Sequence, residues 1–363
     1  MSPRRVVSRL LLACVALIAA VSIWPVALTA QTNKDLPNVV VLATGGTIAG
    51  AGATDTQVGY TSGQLGVDQL IAAVPQAKKL ANLRGEQISN IGSQDMNDEV
   101  WLKLAHRVNE LAQMADVEGI VITHGTDTIE ETAYFLNLVA KTAKPVVLTG
   151  SMRPATALSA DGPLNFYNAV AVAANQDAAG HGVLVVLNDW IHGAASLTKT
   201  STTAVQTFMS PLSGLVGTVA YGKVEFNRHP IGKHTSESEF SLQGVTALPR
   251  VDIIMAHENM DGALIDAAVA AGAKGLVIAG VGNGNLTKAA VDALAAQAKK
   301  GIVCVRASRV TVGRVERNVE LDDDKLGFVA SMDKNPQKSR VLLRIALLQQ
   351  RSVEDIQRIF SEY

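Results

Sequence analysis

The stretch Val39-Val40-Val41-Leu42-Ala43-Thr44-Gly45-Gly46-Thr47-Ile48-Ala49-Gly50 begins as an unbroken apolar run and ends in hydroxyls and glycines. An apolar run with no polar alternation reads as a strand buried on both faces, as strands of parallel sheets are. The paired glycines after it mark a tight turn. The pattern recurs: Ile88–Ile91 runs into Gly92-Ser93-Gln94-Asp95, and Gly119–Thr123 into His124-Gly125-Thr126-Asp127. Between these runs, Trp101, Leu104, Val108 and Leu111 fall on one face of a helix expected over 97–114. Further helices are expected over 128–140 and 164–174, and buried strands at Pro145–Thr149 and Val183–Leu187. Such alternation implies βαβ units and a doubly wound, mostly parallel sheet.

Outward from that block the pattern changes. Residues 228–249 are polar and carry Pro230, Gly232, Gly244 and Pro249, which reads as a linker. Strands are expected again at Val251–Ala256, Gly275–Ala279 and Gly301–Val305, with helices near Leu264 and Val291. Two closing helices are expected around 340–348 and 353–360. The α/β chain therefore divides into a larger domain at 37–227, a linker, and a smaller α/β domain at 250–363. A length of 363 residues suits two cores.

The first thirty residues differ from the rest. Arg4, Arg5 and Arg9 precede an apolar run from Leu10 to Val21, then Pro25 and small residues up to Ala30. This order is that of a secretory signal peptide over 1–30, cleaved after Ala30. An uncleaved anchor is the alternative, which Pro25 and the small residues disfavour. A lipoprotein site at Cys14 would leave almost no apolar run before it. Removal of the segment takes away three arginines and no acids, so the mature chain is more acidic than the formal −1 of the whole sequence. That balance excludes a nucleic-acid binder. Only Cys304 remains in the mature chain, so no intrachain disulfide can form, and its apolar strand setting suits packing.

Ligands in open α/β sheets bind beyond the carboxyl ends of the strands, where the polar loops converge. Thr47 is a candidate nucleophile beside glycines that let backbone amides approach an oxyanion, or it caps a helix beginning at Ile48. Asp127 could orient the Thr126 hydroxyl, or cap a helix starting at Thr128, with Glu130 and Glu131 in its first turn. Lys199, in Leu197-Thr198-Lys199-Thr200, could act as a base near a hydroxyl. The loop Gly280–Asn285 lacks the G-x-G-x-x-G spacing of a dinucleotide site. The histidines form no H-E-x-x-H pattern, so neither metal nor other cofactor is expected.

Together these residues resemble the bacterial type II L-asparaginases of the asparaginase/glutaminase family. The motifs that carry the resemblance are ATGGTIAG at 43–50, GSQDMND at 92–98, VITHGTDTIEETAYFL at 121–136, SADGPLN at 159–165, GVGNGNL at 280–286 and NPQKSRVLL at 335–343. The resemblance implies a larger doubly wound domain, a smaller flavodoxin-like one, and a periplasmic homotetramer. It implies that Thr47 is the nucleophile with Tyr60 as partner, and that Thr126, Asp127 and Lys199 form a second triad. Gly46, Ser93, Gln94, Thr126 and Asp127 would hold the substrate. Asn285 and Glu320 would reach in from a neighbouring subunit, and Tyr60 would sit in a lid over 50–63. Residues 190–197 depart from the family's usual loop before the lysine, and 314–319 match it poorly. The expected substrate is L-asparagine, with L-glutamine a weaker one, because one methylene is worth only ~1–3 kcal/mol of discrimination. Rival readings are a broad glutaminase-asparaginase, an exported amino-acid-binding protein and a nucleotide-dependent oxidoreductase. The last is disfavoured by the missing glycine spacing.

Overall fold

The computed structural model describes residues 35–363 except 53–59 and 62, so the expected signal peptide and most of the expected lid lie outside the described residues. The larger sheet has eight strands: β1 Asn38–Gly45, β2 Asn82–Ile91, β3 Gly119–Thr123, β4 Val146–Thr149, β5 Val183–Leu187, β6 Trp190–Gly193, β7 Gly217–Ala220 and β8 Lys223–Phe226. Their spatial order is β8-β7-β6-β5-β4-β3-β1-β2. The five strands β2-β1-β3-β4-β5 pair in parallel, and β6, β7 and β8 continue the sheet antiparallel. The chain thus leaves β1 toward one side, to β2, and returns on the other, to β3. The point of reversal between β1 and β3 is where a ligand crevice opens in such sheets.

Four helices cover this sheet: α1 Val67–Ala73, α2 Asp98–Gln113, α3 Ile129–Val139 and α4 Gly162–Ala173. β1 shows why its sequence is continuously apolar. Val39, Val41 and Ala43 join the cluster holding Leu70, Ile71, Phe166 and Val170 of α1 and α4. Val40 and Leu42 join the one holding Leu104, Val108, Ala133 and Leu136 of α2 and α3. Both faces are dry, and each buried Val or Leu contributes roughly 1.5–3 kcal/mol. α2 starts where its cap predicts: Asn97 Oδ1 accepts from Val100 N at 3.1 Å.

The smaller sheet, β9 Val251–Met255, β10 Gly275–Gly280, β11 Val303–Ser308 and β12 Phe328–Ala330, is all parallel and runs in simple succession. Its helices are α5 Ala263–Ala270, α6 Lys288–Ala298, the single turn α7 Asp323–Leu326, α8 Pro336–Ala346 and α9 Val353–Glu362. β11 starts two residues later than the apolar run suggests, because Gly301 turns the chain at φ +88°. Cys304 is buried, and burial pushes its thiol up to about 12, so it stays a protonated packing group. Val277, Val305 and Leu342 of the smaller sheet and α8 belong to the same cluster as α2 and α3.

Three features were not legible in advance. β6, β7 and β8 are absent from the expected pattern. The β5–β6 hairpin turns on Asn188 and Asp189 at φ +47° and +67°, the left-handed pair of a tight hairpin, with Asn-Asp in place of the more telling Asn-Gly. The 228–249 stretch has no strand, yet Phe240, Leu242 and Leu248 are buried in the main core and Phe240 packs on the Tyr363 ring.

In the smaller sheet Arg306 is fully buried and paired with Asp323 through Nε–Oδ1 at 2.6 Å and Nη2–Oδ2 at 2.7 Å. The same guanidinium donates to the carbonyls of Asn283 and Gly284, at 3.1 and 3.2 Å, and to Glu316 O at 3.2 Å. One side chain therefore fixes both loops at this sheet's carboxyl edge. Removing one partner strands a buried charge, so Arg306→Met should lower unfolding stability by about 3–5 kcal/mol. Urea denaturation showing a loss under 1 kcal/mol, about what an exposed pair is worth, would contradict it.

Candidate active site

The expected polar loops meet at the reversal point. Thr44 Oγ1 donates to Thr123 O at 2.9 Å, tying the end of β1 to the end of β3. Gly46 N donates to Ile91 O at 3.0 Å, tying β1 to β2. Gly46 sits at φ +83°, and a Cβ there would lie 2.4 Å from Gly125 Cα and N. Only glycine on this spot lets the two backbones touch. Thr47 follows at once, buried, opening the short 3-10 turn Thr47–Ala49 with Gly46 as its cap. Thr47 is thus within the turn rather than its cap.

Ser93 is buried on the neighbouring loop. Its Oγ accepts from Asp127 N at 3.2 Å, and its carbonyl accepts from Thr128 Oγ1 at 2.7 Å. Gln94 is exposed beside it, its Nε2 donating to Asp95 Oδ2 at 3.2 Å. α3 begins at Ile129 with Thr128 at the cap position, which leaves the Asp127 carboxylate for another partner. That partner is Lys199. Its Nζ donates to Asp127 Oδ1 at 2.7 Å and to Thr126 Oγ1 at 3.0 Å. The Lys199 and Asp127 side chains are 16% and 61% exposed, and Thr126 is buried. The ammonium is held in the wall while the carboxylate stays open to a solute.

Lys199 arrives by an unanticipated route. After β6, Ala194 and Leu197 are buried in the core, and Thr198–Lys199 pairs antiparallel with Phe208–Met209. Thr200 Oγ1 donates to Thr207 O at 2.7 Å, closing this small hairpin. Residues 190–197 are therefore a sheet strand followed by a packed turn.

His124, in the same loop, is fully buried and uncharged. Burial drives its pKa down to about 4, against a smaller opposing effect from the Gly125 carbonyl. Trp101 Nε1 donates to Thr132 Oγ1 at 2.8 Å, Thr132 contacts His124 Nε2 at 2.9 Å, and His124 Nδ1 contacts Gly125 O at 2.7 Å. With Thr132 donating to Nε2, Nδ1–H donates to Gly125 O and orients the peptide next to Thr126. The SADGPLN motif is a brace: Asp161 accepts from Met152 N and Arg153 N, both at 2.9 Å, and from Asn165 Nδ2 at 3.1 Å.

Tyr60 lies on the two-residue strand Tyr60–Thr61, whose partner is Ala51–Gly52. Asn285 and Glu320 lie elsewhere, on loops at the carboxyl edge of the smaller sheet. Asn285 closes a backbone bridge with Val281, and Glu320 is exposed after β11. Among the described residues, no hydrogen bond joins either to Thr126, Asp127 or Lys199. Among the described residues, no group of three or more His, Cys, Asp or Glu is placed to hold a metal, and no helix is long and apolar enough to cross a membrane.

The family model for the N-terminal domain of asparaginases matches residues 38–232, and the glutaminase/asparaginase C-terminal domain matches residues 250–360. The chain belongs to the L-asparaginase family. It is 52% identical to the "Probable L-asparaginase periplasmic" of Haemophilus influenzae over 95% of this chain and 99% of the relative. It is also 52% identical to L-asparaginase 2 of Escherichia coli, over 90% and 94%. The crystal structure of a probable cytoplasmic L-asparaginase from Campylobacter jejuni superimposes with a TM-score of 0.87 at 46% identity, over 90% of this chain and all of that one. Within this L-asparaginase frame Glu130, Asn335 and Lys338, which the sequence reading did not single out as site residues, stand directly behind Lys199.

A histidine whose folded pKa lies below its unfolded value adds stability above pH 6.5 that is lost as pH falls toward about 4. For His124 that loss amounts to on the order of 3 kcal/mol. Unfolding curves of wild type and His124→Gln across that window should therefore converge at low pH. A parallel decline would show that His124 does not titrate on unfolding.

Proposed function

We propose that this chain is an exported amidohydrolase that converts L-asparagine to L-aspartate and ammonia, with weaker action on L-glutamine. The observation that carries this reading is the Lys199 amine bridging Thr126 Oγ1 and Asp127 Oδ1 at the reversal point of the sheet. A solute-binding site has no use for a lysine held against a hydroxyl. A hydrolase does.

In the proposed reaction Thr47 attacks the side-chain amide carbon, and backbone amides of the glycine-bearing loops stabilise the oxyanion. Lys199 relays a proton through Thr126. Ammonia leaves, and water then cleaves the β-aspartyl ester. Asp127 and Ser93 hold the α-amino group and α-carboxylate, with Gln94 beside the amino end and Gly46 lining the pocket. Tyr60 partners Thr47 from the lid. No cofactor is needed. Residues 37–227 carry this machinery, and 250–363 supply Asn285 and Glu320 to a neighbouring subunit of a homotetramer. The exposed apolar side chains Val310, Val312 and Val319, on the loop that carries Glu320, support self-association. Arg4, Arg5 and Arg9 ahead of the apolar run support export to the periplasm. Weaker glutaminase action is in keeping with the glutaminase/asparaginase description of the C-terminal match.

The test is ammonia release by the purified 31–363 protein from each amide. Thr47→Ala and Thr126→Ala should each lower kcat by more than about 10³-fold in a folded protein. Near wild-type turnover by either, or a folded protein that binds asparagine and releases no ammonia, would sink the reading.

A further inference from the structure

Lys199 reaches Thr126 and Asp127 from a strand of only two residues, so something outside that strand must fix it. Its partner strand holds one edge. The other edge meets the start of α8, which belongs to the smaller sheet's half of the chain. Asn335 Nδ2 donates to Glu130 Oε2 at 3.0 Å and reaches Thr198 Oγ1 at 3.4 Å. Lys338 Nζ donates to the same Glu130 Oε2 at 3.0 Å and to the carbonyl of Leu197. Glu130 stands in the first turn of α3, three residues after Asp127. One carboxylate oxygen therefore gathers two donors from α8. Those donors hold Leu197 and Thr198, immediately before Lys199, while the carboxylate rides on the helix that carries Thr126 and Asp127 at its head.

The Lys338 and Glu130 side chains are 3% and 6% exposed. A buried ion pair is a poor way to gain stability and is often replaceable by apolar groups. This one joins the two chain segments whose separation sets the contact between Lys199 and Thr126. Asn335 is committed on both sides of its amide, since its Oδ1 caps α8 by accepting from Lys338 N at 2.9 Å.

We propose that Glu130, Asn335 and Lys338 are positioning residues that set the distance between the Lys199 amine and the Thr126 hydroxyl. The inference rests on the reading of Lys199 as the proton-transfer group. Of the proposed substrate holders, Ser93 lies outside this network, and Asp127, whose carboxylate meets Lys199, is also tied to Ser93 through its backbone N–H, so loss of the network falls more on turnover than on binding. A misplacement of about 1 Å can cost on the order of 10²-fold in rate.

The test compares kcat and KM of Asn335→Ser, Lys338→Met and Lys199→Met with wild type, on protein shown to be folded by circular dichroism and size exclusion. Asn335→Ser is the deciding variant, because serine preserves the helix cap while removing the amide donor to Glu130 and Thr198. In Asn335→Ser and Lys338→Met kcat should fall about 10–100-fold with KM little changed. A folded Asn335→Ser with wild-type kcat, beside an inactive Lys199→Met, would overturn the positioning role and leave the catalytic reading standing. A fall confined to the folded fraction, with kcat per folded molecule unchanged, would overturn it likewise. A Lys199→Met protein with wild-type turnover would bring down the catalytic reading and this inference with it. Should Lys338→Met fail to fold, Asn335→Ser decides alone.

Discussion

Two backbones touch where β1 and β3 end, and the candidate site is built around that contact. A Cβ on Gly46 would stand 2.4 Å from Gly125, closer than any side chain tolerates. Glycine there lets the segment leading to Thr47 lie against the segment leading to Thr126. The constraint reaches outward: Gly45 is pressed on Ile91 in the same way, which brings the Ser93 loop into register with the other two. Without these approaches the loops would be three separate strand ends. With them they form one wall, into which Lys199 fits from the far side.

Much of this was legible because buried parallel strands leave a strong trace. β1, β3, β4 and β5 are short apolar runs bounded by glycine or hydroxyl clusters, and their loops carry the candidate residues. The ambiguity at Asp127 could not be resolved from local pattern. A carboxylate before a helix is compatible with a cap, and only the tertiary arrival of Lys199, from 72 residues downstream, shows where it is engaged. β6–β8 escaped notice for the opposite reason. They are four-residue strands. β8 alternates exposed and half-buried positions, and none of the three has a run long enough to stand out.

The residues behind Lys199 show a second kind of blindness. The helix expected around 340–348 starts earlier, at Pro336, with Asn335 as its cap. Nothing local says that Lys338 is buried against a glutamate from the other sheet's helix. Burial of a lysine is decided by packing across the whole chain, so it is invisible to composition and periodicity. Similarly Asn285 and Glu320, away from the Lys199 cluster within one subunit, gain their proposed place only from the family resemblance and from an assembly.

Thr47, at this backbone contact, is proposed to form a covalent ester with the substrate, and the rest of the site serves that step. Rapid acid quench of the protein during turnover of L-asparagine, followed by mass mapping of its peptides, tests that directly. The account predicts an aspartyl adduct on the peptide containing Thr47, and its absence in Thr47→Ala. An adduct on the peptide containing Thr126 instead, in protein that is releasing ammonia, would contradict it.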